Sequence, residues 1–598
     1  MLDPDLDLEA DLSIDSIKRI EIVGELAERI GLAGLDESAV DEELVEELAQ
    51  HKSLRGIVEW IEGIASGDAD APASGGSAAS ASSAANGNGQ ANGHGEPDSS
   101  EAPAVPLPPT QRFEVHTEPL GPAVPLGDLH GAAVGVIGGG PALAAAVTEA
   151  LEKRGATVTA FDAEVPSTTG SSDRAASLGG LAVVVDLTTT EPATSEPATT
   201  DSANIQADPD ARSVFADLQP ALLGSARRVL ALTVAPQAGE RPSGVPGLMR
   251  ALSRERHDAL VRAVEVAASD LRGDLEPLAE ALVDELLDLD APAAVSWAGG
   301  ERTTQVVGQA ADLSLHGPFT LGPDAVVVIT GGARGITARA AEGLARANPC
   351  HLVLVGRTPL PTEPEDPRTA GAADRAHLRR ALLEIGELTT PHEIEVACNR
   401  IEAEREMRTT LDVLQSFGAT VDYRAVDVRS PDFGDLLDEI RASHGRLDGV
   451  IHGAGVLDDH FIRDKTAEGF DRVFGTKVDG AHAILERQDR GLKFVVLFGS
   501  VSGVFGNRGQ CDYAAANDVL DTLAHTHDGR HDCRVVSIDW GPWAGGGMVS
   551  GELEREYARR GIGLVDPDDG VMALLHEVAA PTGPSQVVVM RGAPEAFA

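Results

Sequence analysis

The chain has 598 residues, room for three or four domains. A hydrophobic fraction of 42% supplies packed cores, but aromatics at 3% are so scarce that those cores must be built from Val, Leu, Ile and Ala. A net charge of −47 argues against a nucleic-acid partner, which needs clustered Lys and Arg, and disfavours docking on an anionic membrane.

Residues 1–66 read as helical. In DSIKRIEIVGELAERIG, Ile20, Val23, Ala27 and Ile30 recur at helical spacing behind Asp15, an N-cap residue. Ser53 caps a second helix whose Leu54, Ile57, Val58 and Ile61 share a face. The segment before Asp15 is too short for another full helix. Residues 67–126 are rich in Ala, Gly, Ser, Asn and Pro, a composition that cannot bury enough surface to offset ordering entropy, and are expected to form a flexible linker.

Residues 127–315 open with strand, glycine turn, helix and strand, ending at the acidic Asp162, which imitates a dinucleotide-binding unit. The Thr/Ala/Pro/Asp-rich tract 185–212 follows, and no ordered catalytic set appears. A structural Rossmann-like lobe is expected rather than a second cofactor site.

Residues 316–598 alternate strand and helix. The apolar runs AVVVITGG, HLVLVGRT, TVDYRAVDV, GVIHGAG, KFVVLFGSVS, RVVSIDW and SQVVVM predict a parallel sheet buried on both faces, of the doubly wound α/β class. Residues 360–415 read as a charged helical insertion packed outside. Four cysteines (Cys350, Cys398, Cys511, Cys533) show neither metal spacing nor a paired framework, so no metal is expected and a reducing compartment is. With no leader and no apolar run long enough for a bilayer, the expectation is a cytoplasmic chain without a membrane partner.

The glycine run TGGARGIT follows an apolar strand and opens a helix. Gly331, Gly332, Gly335 and Ile336 would let a pyrophosphate approach the backbone at a helix N-terminus. Thr337 stands where the usual pattern has its last glycine. Arg357, ending the second strand, pairs better with a 2′-phosphate than with ribose hydroxyls, and Arg334 adds a second cation, so NADPH is favoured over NADH. Asp427 and Val428, and Gly453 and Ala454, end the third and fourth strands, where such a ligand sits. His452 is read as a packed or backbone-bonded imidazole.

Tyr513 is one of only three tyrosines, and Asn517 stands four residues on, where reductases of this look usually carry lysine. Ketone reduction needs a hydride at carbon and a proton at oxygen, and a phenol donates well only if a cation lowers its pKa. Lys477, on the helix between the fourth and fifth strands, can supply that cation. Ser500, ending the fifth strand, can hold the carbonyl oxygen, and Asn517 can orient a water.

With TGGARGIT, IHGAGVLDD, TKVDGA, YAAAN and DWGPW in this order, residues 317–598 resemble the ketoreductase domains of polyketide synthases and polyunsaturated fatty acid synthases. These are short-chain dehydrogenase/reductases in which lysine and asparagine exchange sequence positions. The resemblance implies NADPH-dependent reduction of a carrier-bound β-ketoacyl thioester by Tyr513, Ser500, Lys477 and Asn517, and makes 127–315 the structural subdomain of such a pair. Residues 1–66 resemble part of an acyl carrier domain, with Ser16 of DSIK matching the serine that receives 4′-phosphopantetheine from a phosphopantetheinyl transferase. Ser13 departs from the family's usual glycine. Leu457, Asp458 and Asp459 match the LDD motif tied to the D-configured hydroxyl, and Phe505 is not the tryptophan tied to the opposite outcome. The segment WGPWAGGGMVS suits a mobile lid. Implied partners are the synthase's own ketosynthase, acyltransferase and dehydratase domains, with a homodimer compatible. Two other readings remain open: a non-catalytic carrier and docking scaffold, which would not be stabilised by NADPH, and a general alcohol dehydrogenase.

Overall fold

A computed structural model describes residues 55, 108–162, 171–190, 209–237, 239–310, 321–388, 390–545, 551–580 and 582–597. Ser16 and the carrier-like segment, Arg55 apart, therefore lie outside the described residues, as do 67–107 of the linker.

The strands in chain order are β1 (Gln111–Pro119), β2 (Ala133–Gly138), β3 (Thr157–Phe161), β4 (Val183–Leu187), β5 (Arg228–Val234), β6 (Leu260–Val266), β7 (Ala294–Ala298) and β8 (Glu301–Gln309). There follow β9 (Val326–Thr330), β10 (His351–Gly356), β11 (Thr420–Ala425), β12 (Gly449–His452), β13 (Phe494–Ser500), β14 (Arg534–Trp540) and β15 (Gln586–Met590). All belong to one 15-stranded sheet, ordered β11-β10-β9-β12-β13-β14-β15-β1-β8-β7-β6-β5-β4-β2-β3. The seven strands read from residues 316–598 are parallel neighbours in the doubly wound order, reversing direction of growth between β9 and β12. Every residue of β9, β12, β13, β14 and β15 is buried, as Val- and Ile-rich strands covered by helices on both faces must be.

One boundary needs correction. Residues 111–119, assigned to the linker by their composition, form β1, which pairs antiparallel with β15 on one side and β8 on the other. QRFEVHTEP alternates too weakly to announce a strand, and its partners are distant in sequence. Phe113 stands opposite both Val588 and Gln309 and is buried with Met590, Ile562 and Phe597. Burying one such ring stabilises by about 1.5–3 kcal/mol. The two lobes thus share a sheet instead of merely touching.

The first lobe's glycine turn is closed by its own packing. A Cβ on Gly139 would lie 2.6 Å from Leu187 Cδ1, so the fully buried Leu187 fills the space above the turn. This lobe instead buttresses its neighbour. Its helix Val245–Glu255 lies on the helix Cys511–His527, and a Cβ on Gly247 would come within 2.4 Å of the Ala514 carbonyl oxygen. Arg250 ties the pair together, donating to Asp518 at 2.8 Å and to the Gly503 carbonyl at 2.9 Å. The insertion forms the helices Pro367–Ala370, Arg375–Ile385 and Pro391–Ser416, with a small core of Leu378, Leu382, Ile394, Cys398 and Ile401. No helix among the described residues is long and apolar enough to cross a membrane.

Candidate active site

Ser500 is the last residue of β13 and the N-cap of the short helix Val501–Phe505, its hydroxyl accepting from the Ser502 N–H at 3.2 Å. The chain then turns into Cys511–His527, so Tyr513 in that helix's first turn returns beside Ser500. Both line a cleft of about 530 Å³, together with Gly335, Ile336, Leu457 and Asp459. Asn517 lies one turn after Tyr513. Its Nδ2 donates to the Tyr513 carbonyl at 2.7 Å, while its Oδ1 is buried without a hydrogen-bond partner.

Lys477 enters from the helix Ala467–Leu485. Its buried Nζ donates to the Phe498 carbonyl at 2.7 Å and lies over the Tyr513 ring, 5.1 Å from the centre. A Cβ on Gly455 would stand 3.3 Å from Lys477 Cε, so that glycine leaves the lysine its channel. Burial brings the ammonium down to about 8, partly offset by the Asp539 and Asp521 carboxylates.

The phenol differs from the expectation. Burial pushes Tyr513 up to about 12; hydrogen bonding to Ser500 and Asn517 opposes the rise, and the charges of Asp459 and Asp539 add to it. Lys477 stands over the ring face, and in the resting phenol burial outweighs its influence. The cation is placed to favour the anion that forms once the proton has left.

His452 is structural. Its Nε2 donates to the Lys477 carbonyl at 2.8 Å, so its Nδ1, 2.8 Å from Thr330 Oγ1, must accept. Burial holds it down to about 4 and therefore neutral. Thr330 Oγ1 also accepts from the Ala454 N–H at 3.2 Å, locking the ends of β9 and β12 together. Neither Thr330 nor the fixing of Lys477 through His452 was read from the sequence, since both depend on strands brought together by the fold.

The expected cofactor residues line the carboxyl ends of β11, β10, β9 and β12. Gly331 has φ +75° and donates to the Val355 carbonyl at 2.8 Å; a Cβ there would meet the Gly453 carbonyl oxygen at 2.9 Å. A Cβ on Gly332 would lie 2.6 Å from Ile329 Cγ2. The missing last glycine of the turn is compensated elsewhere: a Cβ on Gly453 would lie 2.4 Å from Thr337 Oγ1, so glycine at 453 makes room for threonine at 337. Arg357 is exposed at the end of β10. Asp427 turns inward on its own loop, accepting from the Arg429 N–H at 3.0 Å, and Val428 is buried; neither lines the cleft.

The turn fits an anionic cofactor. Gly335 opens the helix Gly335–Ala347, and its N–H already donates to a carboxylate, Glu406 Oε1, at 2.7 Å, with Arg334 on the same acid at 3.2 Å. An acidic oxygen is what a helix N-terminus attracts. Among the described residues one group has metal-ligand chemistry, His351, Asp422 and His444, whose donor atoms lie within 4.8 Å of one another. It sits toward the amino ends of β10 and β11, remote from Tyr513, and His351 Nε2 bonds Asp422 at 3.0 Å.

The LDD residues divide. Leu457 and Asp459 line the cleft, and Asp459 accepts from Gln510 at 2.9 Å. Asp458 is turned to Arg472 at 2.5 Å and does not line it. Phe505 lines the cleft and stacks on Phe597, ring centres 5.7 Å apart. Of the glycine-rich segment proposed as a lid, residues 546–550 lie outside the described residues; Trp540 and Trp543 are buried.

A sequence profile of the KR domain family matches residues 325–545, the span that holds the whole tyrosine cluster. A polyunsaturated fatty acid synthase chain of Thraustochytrium sp. is 32% identical over 280 residues, 44% of this chain and 10% of its own length. A phenolphthiocerol/phthiocerol polyketide synthase chain of Mycobacterium tuberculosis is 30% identical over 365 residues, 59% of this chain and 17% of its own. The chain carries a ketoreductase domain of the polyketide synthase kind. The ketoreductase fold also matches solved structures. The first ketoreductase of the tylosin synthase aligns with TM-score 0.58 and 26% identity, over 81% of this chain and 93% of its own. An N-terminal ketoreductase from the macrolactin assembly line aligns with TM-score 0.62 and 19% identity, over 82% and 93%. In both, the match extends well beyond residues 325–545, so the structural lobe is part of the shared architecture. The chain spans only about a tenth to a sixth of the curated relatives above.

Proposed function

We propose that this ketoreductase reduces a carrier-bound β-ketoacyl thioester to the β-hydroxyacyl thioester with NADPH. The meeting of Tyr513 and Ser500 in the cleft that also holds Gly335 and Ile336, with the buried Lys477 over the Tyr513 ring, carries the reading. Arg357 and Arg334 would hold the 2′-phosphate, and the glycine turn the pyrophosphate. NADPH, when bound, supplies the hydride to the carbonyl carbon.

The chain's own residues handle the oxygen. Ser500 orients the carbonyl toward the phenol. Tyr513 gives its proton to the oxygen as the carbon is reduced, and Lys477 stabilises the resulting phenolate. The buried, unpartnered Asn517 Oδ1 suits a bound water that could return a proton. Leu457 and Asp459 on the cleft wall would set the face presented, giving the D-hydroxyl. Within a synthase the substrate would arrive on a pantetheine arm such as one attached at Ser16, with the neighbouring ketosynthase, acyltransferase and dehydratase domains as partners.

The test is reduction of a β-ketoacyl pantetheine thioester, with NADPH and NADH compared and product mass and configuration determined. A product two hydrogens heavier, formed faster with NADPH and with D configuration, is expected. Absence of reduction with either cofactor would overturn the proposal.

A further inference from the structure

In a chain of net charge −47, cations gather at the mouth of the tyrosine cleft: Arg254, Arg508 and Arg560 all line it. They come from separated parts of the sequence. Arg254 lies in the last turn of Val245–Glu255, the structural-lobe helix that rests on the Tyr513 helix. Arg508 lies in the loop before Tyr513, and Arg560 just after the helix Gly551–Arg559.

None of the three has an ion-pair partner among the described residues. Arg254 Nε donates to the Phe505 carbonyl at 3.2 Å, and Arg560 Nη2 to that of Ala596 at 3.3 Å. Arg508 lies over the Phe461 ring at 5.6 Å. The carboxylates on the same cleft are otherwise engaged, Asp459 by Gln510 at 2.9 Å and Glu556 by Arg559 at 3.3 Å. Burial and the like charge of Arg560 both hold the Arg254 guanidinium below its usual range. Glu255, the acid whose charge Arg508 feels, accepts from the Ile462 and Gly509 N–H groups. Three guanidinium groups that are not ion-paired among the described residues thus line one cleft and leave an electrostatic vacancy for an anion.

We infer that Arg254, Arg508 and Arg560 form a binding site for a phosphate monoester or diester at the cleft mouth, filled in turnover by the phosphate of the substrate's pantetheine arm. Guanidinium forks suit phosphate oxygens, and a site at the rim would hold the arm while its thioester reaches Ser500 and Tyr513. The structural lobe thereby contributes directly to substrate recognition through Arg254. This rests on the reductase reading above, because the arm belongs to that substrate.

Two substrates separate the claims: a β-ketoacyl thioester of 4′-phosphopantetheine, and the same thioester of pantetheine without phosphate. Wild-type reduction of either one tests the reductase reading alone. The site predicts that the phosphorylated thioester has a KM at least ~10-fold lower. It also predicts that Arg254→Gln and Arg560→Gln each raise that KM by ~5–10-fold, with kcat and the KM of the phosphate-free thioester unchanged. Equal KM values for the two thioesters in the wild type would overturn the site. So would a rise confined to the KM of NADPH, which would assign the arginines to the cofactor's phosphates. Thermal melting of each variant separates loss of fold from loss of binding.

Discussion

Lys477 Nζ lies over the face of the Tyr513 ring, 5.1 Å from its centre, and is anchored by the Phe498 carbonyl at 2.7 Å. The lysine comes from an earlier helix than the tyrosine, and β12 and β13 fix its approach. Its effect is a field across the phenol, present before the proton moves and strongest once the phenolate exists.

Lys477→Met should lower kcat for thioester reduction by at least ~100-fold, the scale of lost acid–base assistance. Stability should move the other way. Because folding holds the ammonium below its usual 10.5, at about 8, the unfolded chain binds more protons between those values. Wild-type stability thus carries a penalty that is full below about pH 8 and relieved as pH rises toward 10.5. Methionine removes it, so urea melts should find the variant at least as stable at neutral pH, with the advantage shrinking in alkali. Wild-type activity should fall as pH rises through about 8.

Beneath the lysine lies a buried pair of acids. Asp539 stands opposite Gly499 in the β13–β14 register, and a Cβ on Gly499 would lie 2.1 Å from its Oδ1. Gln586 donates to Asp539 Oδ2 at 2.9 Å, and Ser537 to Asp521 at 2.6 Å. Burial raises both carboxyls, and the two titrate as a pair beside Lys477. Asp539→Asn should move the alkaline limb of the kcat profile down by about one pH unit. Asp521→Asn should move it the same way by less, since both carboxylates hold the Lys477 ammonium up and Asp539 the more strongly. A limb unmoved in Asp539→Asn would separate the pair from the lysine.

Gly453→Ala should destabilise by about 1–3 kcal/mol, because its methyl would meet Thr337. Thr337→Gly opens that space, so the double variant should recover most of the loss. Chemical denaturation of the four proteins closes the cycle, and strict additivity would show that the two positions are not exchanging volume.

Arg357→Ala should raise the KM for NADPH by ~10–100-fold and leave that for NADH nearly unchanged, the signature of a lost 2′-phosphate contact. Steady-state kinetics with both cofactors checks it.

The catalytic sheet was legible because parallel strands buried on both faces must be nearly continuous apolar runs, as VVVIT and VVLFGS are. The tyrosine cluster was legible for a related reason: Ser500 and Tyr513 flank a single strand-to-helix turn, and little else in the chain offers a phenol. What the sequence concealed depends on distant partners. β1 is a mixed-polarity segment that becomes a strand only between β15 and β8. The high pKa of Tyr513 comes from burial, and the outward turn of Asp458 from Arg472, neither of which is local in the sequence. Arg254, one of many arginines in the chain, acquires significance only where the structural lobe places it on the cleft.

The most direct test of the account is single-turnover reduction of a β-ketoacyl pantetheine thioester by Tyr513→Phe, with cofactor binding measured in parallel. Loss of the hydroxyl should slow reduction at least ~100-fold while NADPH binds as tightly as to the wild type. Near-normal turnover with the phenol oxygen gone would contradict it.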